Sequence, residues 1–195
     1  MVQYPNKKKA GPALSRNGDR HYTAHRGMNL EEDISLSNKF YLANDRAVIY
    51  KKPTPVQIVK VDYPSRNAAR IIEGYYQRPS TTDYNGIYRG QYIDFEAKET
   101  RQNKFPFINI HEHQIEHLGR IKKHGGIAFV IIAFTHLQET YLIDADYVID
   151  RYYHAEHRYM TYEEVQANGH LIRQGYQPRL YYLDVVDEVY FKECE

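Results

Sequence analysis

The sequence predicts a mixed α/β domain, in which a β-sheet is covered by helices and a long excursion leaves between two of its strands. Three observations carry that expectation. Ile127-Ala-Phe-Val-Ile-Ile-Ala-Phe134 is an unbroken apolar run of strand length, as expected for a strand buried on both faces. Residues 83–98 alternate with period two around an Arg89-Gly90 turn, the pattern of a hairpin with one face in the core. Apolar residues recur near helical spacing at 30–42 and again at 115–121, so helices are available to cover the sheet.

The elements follow in order. Residues 1–26 hold Lys7, Lys8, Lys9, Arg16, Arg20 and Arg26 against Asp19, a surplus of five positive charges, with almost no apolar periodicity. Such a stretch buries too little to offset its ordering entropy, and reads as a flexible basic arm that touches phosphate or only solubilises the chain. Asn29 followed by Glu32 resembles a capping box, with Leu30, Ile34, Tyr41 and Leu42 on the inner face of a helix over 29–44. Asn44-Asp45 breaks it and Ala47-Val-Ile-Tyr50 reads as a short strand. Pro53 and Pro55 cannot sit in a central ladder, so the strand leaves the sheet there. The excursion, about 53–80, contains Val56–Tyr63, a Pro64-Ser65 break and a run around Ile71-Ile72. Across 51–80 six cations face Asp62 and Glu73, a surplus of four. It is expected either to project as a stalk or to be an ordinary hairpin of the sheet. After the 83–98 hairpin come a helix over 111–123 ended by Gly125-Gly126, the buried strand, and a short helix capped by Thr161 and stopped at Asn168-Gly169. A last helix spans about 181–191. No internal repeat is present.

Composition excludes several classes of function. The chain has 195 residues, 42% hydrophobic and 26% charged, which fits one domain over 27–195 behind the arm. No stretch approaches the roughly 20 apolar residues of a membrane span, and the N-terminus has no signal-peptide core, so a cytoplasmic protein is expected. Cys194 is the single cysteine, which precludes an intramolecular disulfide and a cysteine-based zinc site. Twenty tyrosines with no tryptophan suit half-buried strands, or stacking on bases. The absence of a Walker A or G-x-G-x-x-G sequence argues against ATP hydrolysis.

One constellation carries chemistry. Period two places Asp94, Glu96 and Lys98 on one face of a strand whose other face, Ile93, Phe95 and Ala97, belongs to the core. Asp83 lies thirteen residues before Glu96, and hairpin pairing brings the two carboxylates to the same side, where they repel unless a divalent cation lies between them. Magnesium suits such a pair, and Lys98 places positive charge near phosphoryl oxygens, so the reaction class is phosphodiester hydrolysis. Thr81 precedes Asp83 by two residues, and Gln114 on the next helix offers an amide oxygen to an oxygen-only ligand set. The bland alternative is a solvated strand with a Glu96–Lys98 pair. The competing constellation is His113, Glu116 and His117, which spells H-x-x-E-H, a two-histidine zinc motif with a glutamate base, as in a zinc hydrolase. Against it stands a polar helix face whose histidines do nothing more. Asp94 and Glu32 are carboxylates without an assigned role.

The segments Ser80-Thr-Thr-Asp-Tyr-Asn-Gly86, Tyr92-Ile-Asp-Phe-Glu-Ala-Lys-Glu-Thr100 and His113-Gln-Ile-Glu-His117 resemble the RecU family of Holliday junction resolvases. The resemblance extends through Arg26-Gly-Met28, Lys51-Lys-Pro-Thr-Pro-Val-Gln-Ile-Val59 and Tyr176-Gln-Pro-Arg179, and is loosest over about 135–170. It implies a restriction-endonuclease-like core of the PD-(D/E)xK type with a projecting stalk. The implied protein is a homodimer that uses Mg2+, with Mn2+ able to substitute, to place paired nicks in four-way junction DNA during recombination and repair. It further implies Thr81, Asp83, Glu96 and Gln114 as metal ligands, Lys98 as transition-state stabiliser and RecA recombinase as a partner; on the basic stalk, Lys52, Arg66 and Arg70 are our own candidates for phosphate contacts. A non-catalytic junction-binding regulator of RecA is the alternative within the same resemblance.

Overall fold

The computed structural model describes residues 29–65, 67–77 and 81–192; the expected basic arm, Arg66 and Cys194 lie outside the described residues. Asn29 adopts extended backbone and its side chain accepts the Glu32 N–H at 2.9 Å, which starts helix α1 (Leu30–Ala43) where the cap predicted it. Leu30, Ile34 and Tyr41 form its buried face. Strand β1 (Val48–Lys51) follows, and the prolines behind it end its pairing.

Strands β2 (Val56–Asp62) and β3 (Arg70–Tyr76) pair antiparallel with each other and with no other described strand. Nearly every residue in them is exposed, including Ile58, Ile71, Ile72, Tyr75 and Tyr76. The excursion is therefore a separate two-stranded ribbon, and the alternative of a hairpin within the main sheet is overturned. Strand β4 (Tyr84–Tyr88) and strand β5 (Gln91–Thr100) form the predicted hairpin. Arg89 (φ 49°) and Gly90 (φ 79°) both occupy the left-handed region, as a two-residue turn matching the strand twist requires.

The remaining elements are β6 (Lys104–Pro106), a 3-10 turn at Phe107–Asn109, α2 (Glu112–Lys123), β7 (Ile127–Phe134), β8 (Glu139–Asp144) and α3 (Ala145–His154), followed by β9 (Tyr159–Thr161), α4 (Tyr162–Asn168), β10 (His170–Leu171) and α5 (Tyr182–Tyr190). Thr161 and Glu164 form a reciprocal capping box at the start of α4. The main sheet runs β1-β4-β5-β7-β8-β10, with β5 and β7 parallel and every other neighbouring pair antiparallel.

Both faces of the sheet are covered. On one side Ile93, Phe95, Phe129 and Ile131 pack against α1 and α5, with Tyr84, Phe95 and Phe129 stacked at centroid separations of 4.9 and 4.7 Å. On the other, Ala128, Val130 and Ile132 meet Ile115 and Leu118 of α2 and Val148 of α3. Every residue of β7 is buried, as its unbroken apolar run predicts. Each large side chain removed from water in these two layers contributes about 1.5–3 kcal/mol, and this fixes β5 between its neighbours. The polar face of β5 lies on the α2 side.

Candidate active site

The register of the hairpin builds the site. Asn85 stands opposite Asp94 and Tyr84 opposite Phe95, so the next pair brings Asp83 to Glu96. The Lys52 N–H donates to the Asp83 carbonyl at 2.8 Å and fixes the entry to β4. Glu96 is fully buried, although it projects from the polar face of β5, because α2 lies over that face. Its Oε2 accepts the Gln114 amide at 2.7 Å. The Lys98 ammonium lies 2.6 Å from Glu96 Oε1 and 3.9 Å from Asp83 Oδ2. Thr81, half-buried, precedes Asp83 by two residues, with its hydroxyl 3.5 Å from the Thr82 carbonyl. The structure thus brings Asp83, Lys98 and Gln114 around Glu96, with Thr81 in the adjoining loop.

Burial, reinforced by the neighbouring Asp83, pushes the Glu96 carboxyl up to about 8; the Lys98 ammonium opposes this. Glu96 Oε1 is buried and in contact with the Lys98 ammonium at 2.6 Å. A buried carboxyl beside a second carboxylate fits a cation that would take both. Among the described residues no three His, Cys, Asp or Glu side chains cluster as a metal site. The fit is accordingly to a hard divalent ion that accepts two carboxylates, neutral oxygens and water. Gln114 presents its amide nitrogen to Glu96, while its oxygen accepts the His111 N–H at 2.9 Å and helps cap α2. Half a turn of the amide about its last side-chain bond would present the oxygen to the Glu96 side instead, at the cost of the His111 bond.

The histidine constellation is used differently. His117 Nε2 lies 3.2 Å from Asp94, the exposed Glu116 pairs with Arg120 at 3.1 Å, and the His113 ring stacks on His111. These contacts do not assemble zinc ligands.

Sequence reasoning left Asp94 without a role and took Lys52 as a phosphate contact. In the structure Asp94 is fully buried and accepts from Lys52 Nζ at 2.7 Å, Tyr92 Oη at 2.9 Å and the Thr82 hydroxyl, besides facing His117. Burial raises its carboxyl, but the bonds from His117, Lys52 and Thr82 outweigh that and hold it below the usual range. Lys52 stands at the foot of the ribbon with its charge compensated by Asp94. Arg70 is exposed at the start of β3. The one signal available beforehand was the period-two alignment of Tyr92 and Asp94 with Glu96.

A hairpin presenting Asp83, then Glu96 and Lys98, on a mixed sheet between helices is the ground plan of a metal-dependent nuclease of the PD-(D/E)xK type. The family model described as "RecU: Recombination protein U" matches residues 25–188, and the chain belongs to this family. Relatives named Holliday junction resolvase RecU from Bacillus cytotoxicus and Bacillus thuringiensis are 47% and 48% identical to it, over 97% of this chain and 98% of theirs. Among solved structures, that of Hjc, a Holliday junction resolvase from the archaeal hyperthermophile Archaeoglobus fulgidus, aligns with a TM-score of 0.44 at 11% identity. The alignment covers 71% of this chain and 90% of that one.

Proposed function

We propose that this chain is an endonuclease that resolves Holliday junctions, using Mg2+ held by Asp83 and Glu96 together with Thr81 and Gln114. The observation that carries the reading is the contact cluster of Asp83, Glu96 and Lys98, in which a fully buried carboxyl lies beside a second carboxylate and a lysine. Family membership supports the substrate. When bound, the ion neutralises the carboxylate pair, lowers the pKa of a coordinated water and draws charge from the scissile phosphate. The residues of the chain do the rest. Glu96 and Asp83 hold the Lys98 ammonium, so its charge is already in place where negative charge grows on the phosphoryl oxygens. The covering helix α2 excludes bulk water from Glu96, which strengthens each of these interactions.

The ribbon, with Arg70 beside the turn at its far end and Arg66 between the two strands in sequence, is read as the element that enters the open centre of the junction. Phosphate contacts of this kind supply affinity with little sequence information, leaving shape as the filter. Action as a homodimer, contact with RecA and a cytoplasmic location are extended to this chain from its family.

The test is a cleavage assay on a four-way junction and a matched linear duplex, with Mg2+ and with EDTA. Wild type is expected to nick only the junction and only with Mg2+. Glu96→Gln is expected to lose cutting by at least a hundredfold while binding the junction as before. Undiminished cutting by Glu96→Gln would sink the ligand assignment; binding without cutting in wild type would favour the RecA regulator.

A further inference from the structure

We propose that Asp94 is a positioning residue of the nuclease site: its carboxylate locks the three segments that carry the cation ligands into one geometry, so that cation affinity depends on it. The proposal rests on reading Asp83 and Glu96 as cation ligands. Asp94 has no exposed surface and collects partners from four places in the chain. Thr82 donates to Oδ1, while Lys52 at 2.7 Å and Tyr92 at 2.9 Å donate to Oδ2, with His117 Nε2 at 3.2 Å from the same oxygen. Lys52 also donates to the Thr82 hydroxyl at 3.0 Å, so the contacts form one closed knot.

The partners sit beside the ligands. Thr82 lies between Thr81 and Asp83, in a stretch without regular structure whose backbone is tied at Asp83 by the Lys52 N–H. Asp94 is two residues before Glu96 and therefore on the same face of β5. His117 follows Gln114 by one turn of α2, which places the two on neighbouring positions of that helix. A buried carboxylate is tolerated only when its donors converge on it, so each donor is held to Asp94 by the cost of leaving that charge unpartnered. Loop, strand and helix are thereby registered to one another at a single point. Ligand placement within a fraction of an ångström then follows without any direct contact between Asp94 and the ion. The plain alternative is that Asp94 only compensates the charge of Lys52, in which case its loss lowers stability and leaves the ligands where they are.

Mn2+ titrations of the full-length chain by calorimetry, with thermal melts in parallel, separate these. Asp94→Asn is expected to weaken Mn2+ binding at least tenfold. Thr82→Val should do the same, and Thr82→Ser, which keeps the hydroxyl, should restore it. Tyr92→Phe removes bonds made within the β4–β5 hairpin, to Asp94 and from the Asn85 amide, and is expected to lower the melting temperature with less than a twofold change in Mn2+ affinity. Wild-type Mn2+ affinity in Asp94→Asn or Thr82→Val overturns the proposal, whatever their melting temperatures. Should Asp94→Asn fail to fold, the Thr82→Val and Thr82→Ser pair decides. Glu96→Gln tells this failure from that of the underlying reading. If it binds Mn2+ as wild type does, the cation site falls and the proposal with it. If it loses Mn2+ while Asp94→Asn keeps it, only the positioning role falls.

Discussion

Glu96 is the residue at which folding and chemistry pull in opposite directions. Burial and Asp83 raise its carboxyl from an ordinary 4.5 to about 8, so the folded chain binds a proton that the unfolded chain has released. Between those limits the metal-free protein loses stability as pH rises, because the unfolded chain ionises a group that the folded chain keeps protonated. A cation competes with the same proton. Its binding at pH 7 is expected to release about one proton per ion, and apparent affinity is expected to climb by up to tenfold per pH unit until about pH 8. Calorimetry in buffers of different ionisation enthalpy measures that proton, and melts from pH 5 to 8 should show a downward trend that Glu96→Gln flattens. A metal affinity independent of pH over 6–8 would mean that Glu96 is already ionised. Asp83, Glu96 and Lys98 were legible in the sequence because spacing and period two suffice to align them. The burial of Glu96 and the bonding of Asp94 were not, since both depend on α2 lying over the polar face of β5, and no local pattern says which helix covers which face.

The β2–β3 ribbon is the element whose removal separates folding from recognition. Among the described residues its strands pair only with each other, and they are exposed along almost their whole length, so the two core layers owe it nothing. Replacing residues 56–76 by a short flexible linker is expected to leave the melting temperature within a few degrees of wild type. Junction affinity should fall toward that for linear duplex, and the dependence of binding on salt should become shallower as phosphate contacts are lost. An unfolded variant, or one with full junction preference, would count against that division of labour. The ribbon was half legible: Pro53 and Pro55 announce the departure from the sheet, but an alternating run reads the same whether or not it rejoins it. The capped helices α1 and α4 and the glycine-stopped α2 were read from their ends. Strand β8 and helix α3 were not, because Glu139–Asp144 is short and mixed, and α3 is built from aromatic and β-branched residues that local propensity assigns elsewhere. Tertiary contact with β7 and α2 decides them.

At the scale of the whole molecule the number of sites decides the outcome. One chain carries one site, whereas resolving a four-way junction takes two cuts on opposed strands. A two-fold dimer meets this with two sites related by the same symmetry that relates the strands. Both cuts then fall within the lifetime of one complex, and a substrate that reseals after a single nick reports whether they do. On a supercoiled plasmid with an extruded cruciform, two cuts in one encounter give linear DNA and one gives a nicked circle. The first nick relaxes the plasmid and removes the cruciform before a second protein arrives. If the chain acts as the proposed homodimer, an equal mixture of wild-type and Glu96→Gln chains, allowed to exchange subunits, gives only about a quarter of dimers with two working sites, and half with one. Linear product is therefore expected to drop to about a quarter of the wild-type yield, with nicked circles making up most of the difference. Linear product that falls only in proportion to the working chains, to about a half, would mean that both strands are cut by one active subunit or by successive ones. In that case the pairing of cuts owes nothing to the symmetry of the dimer.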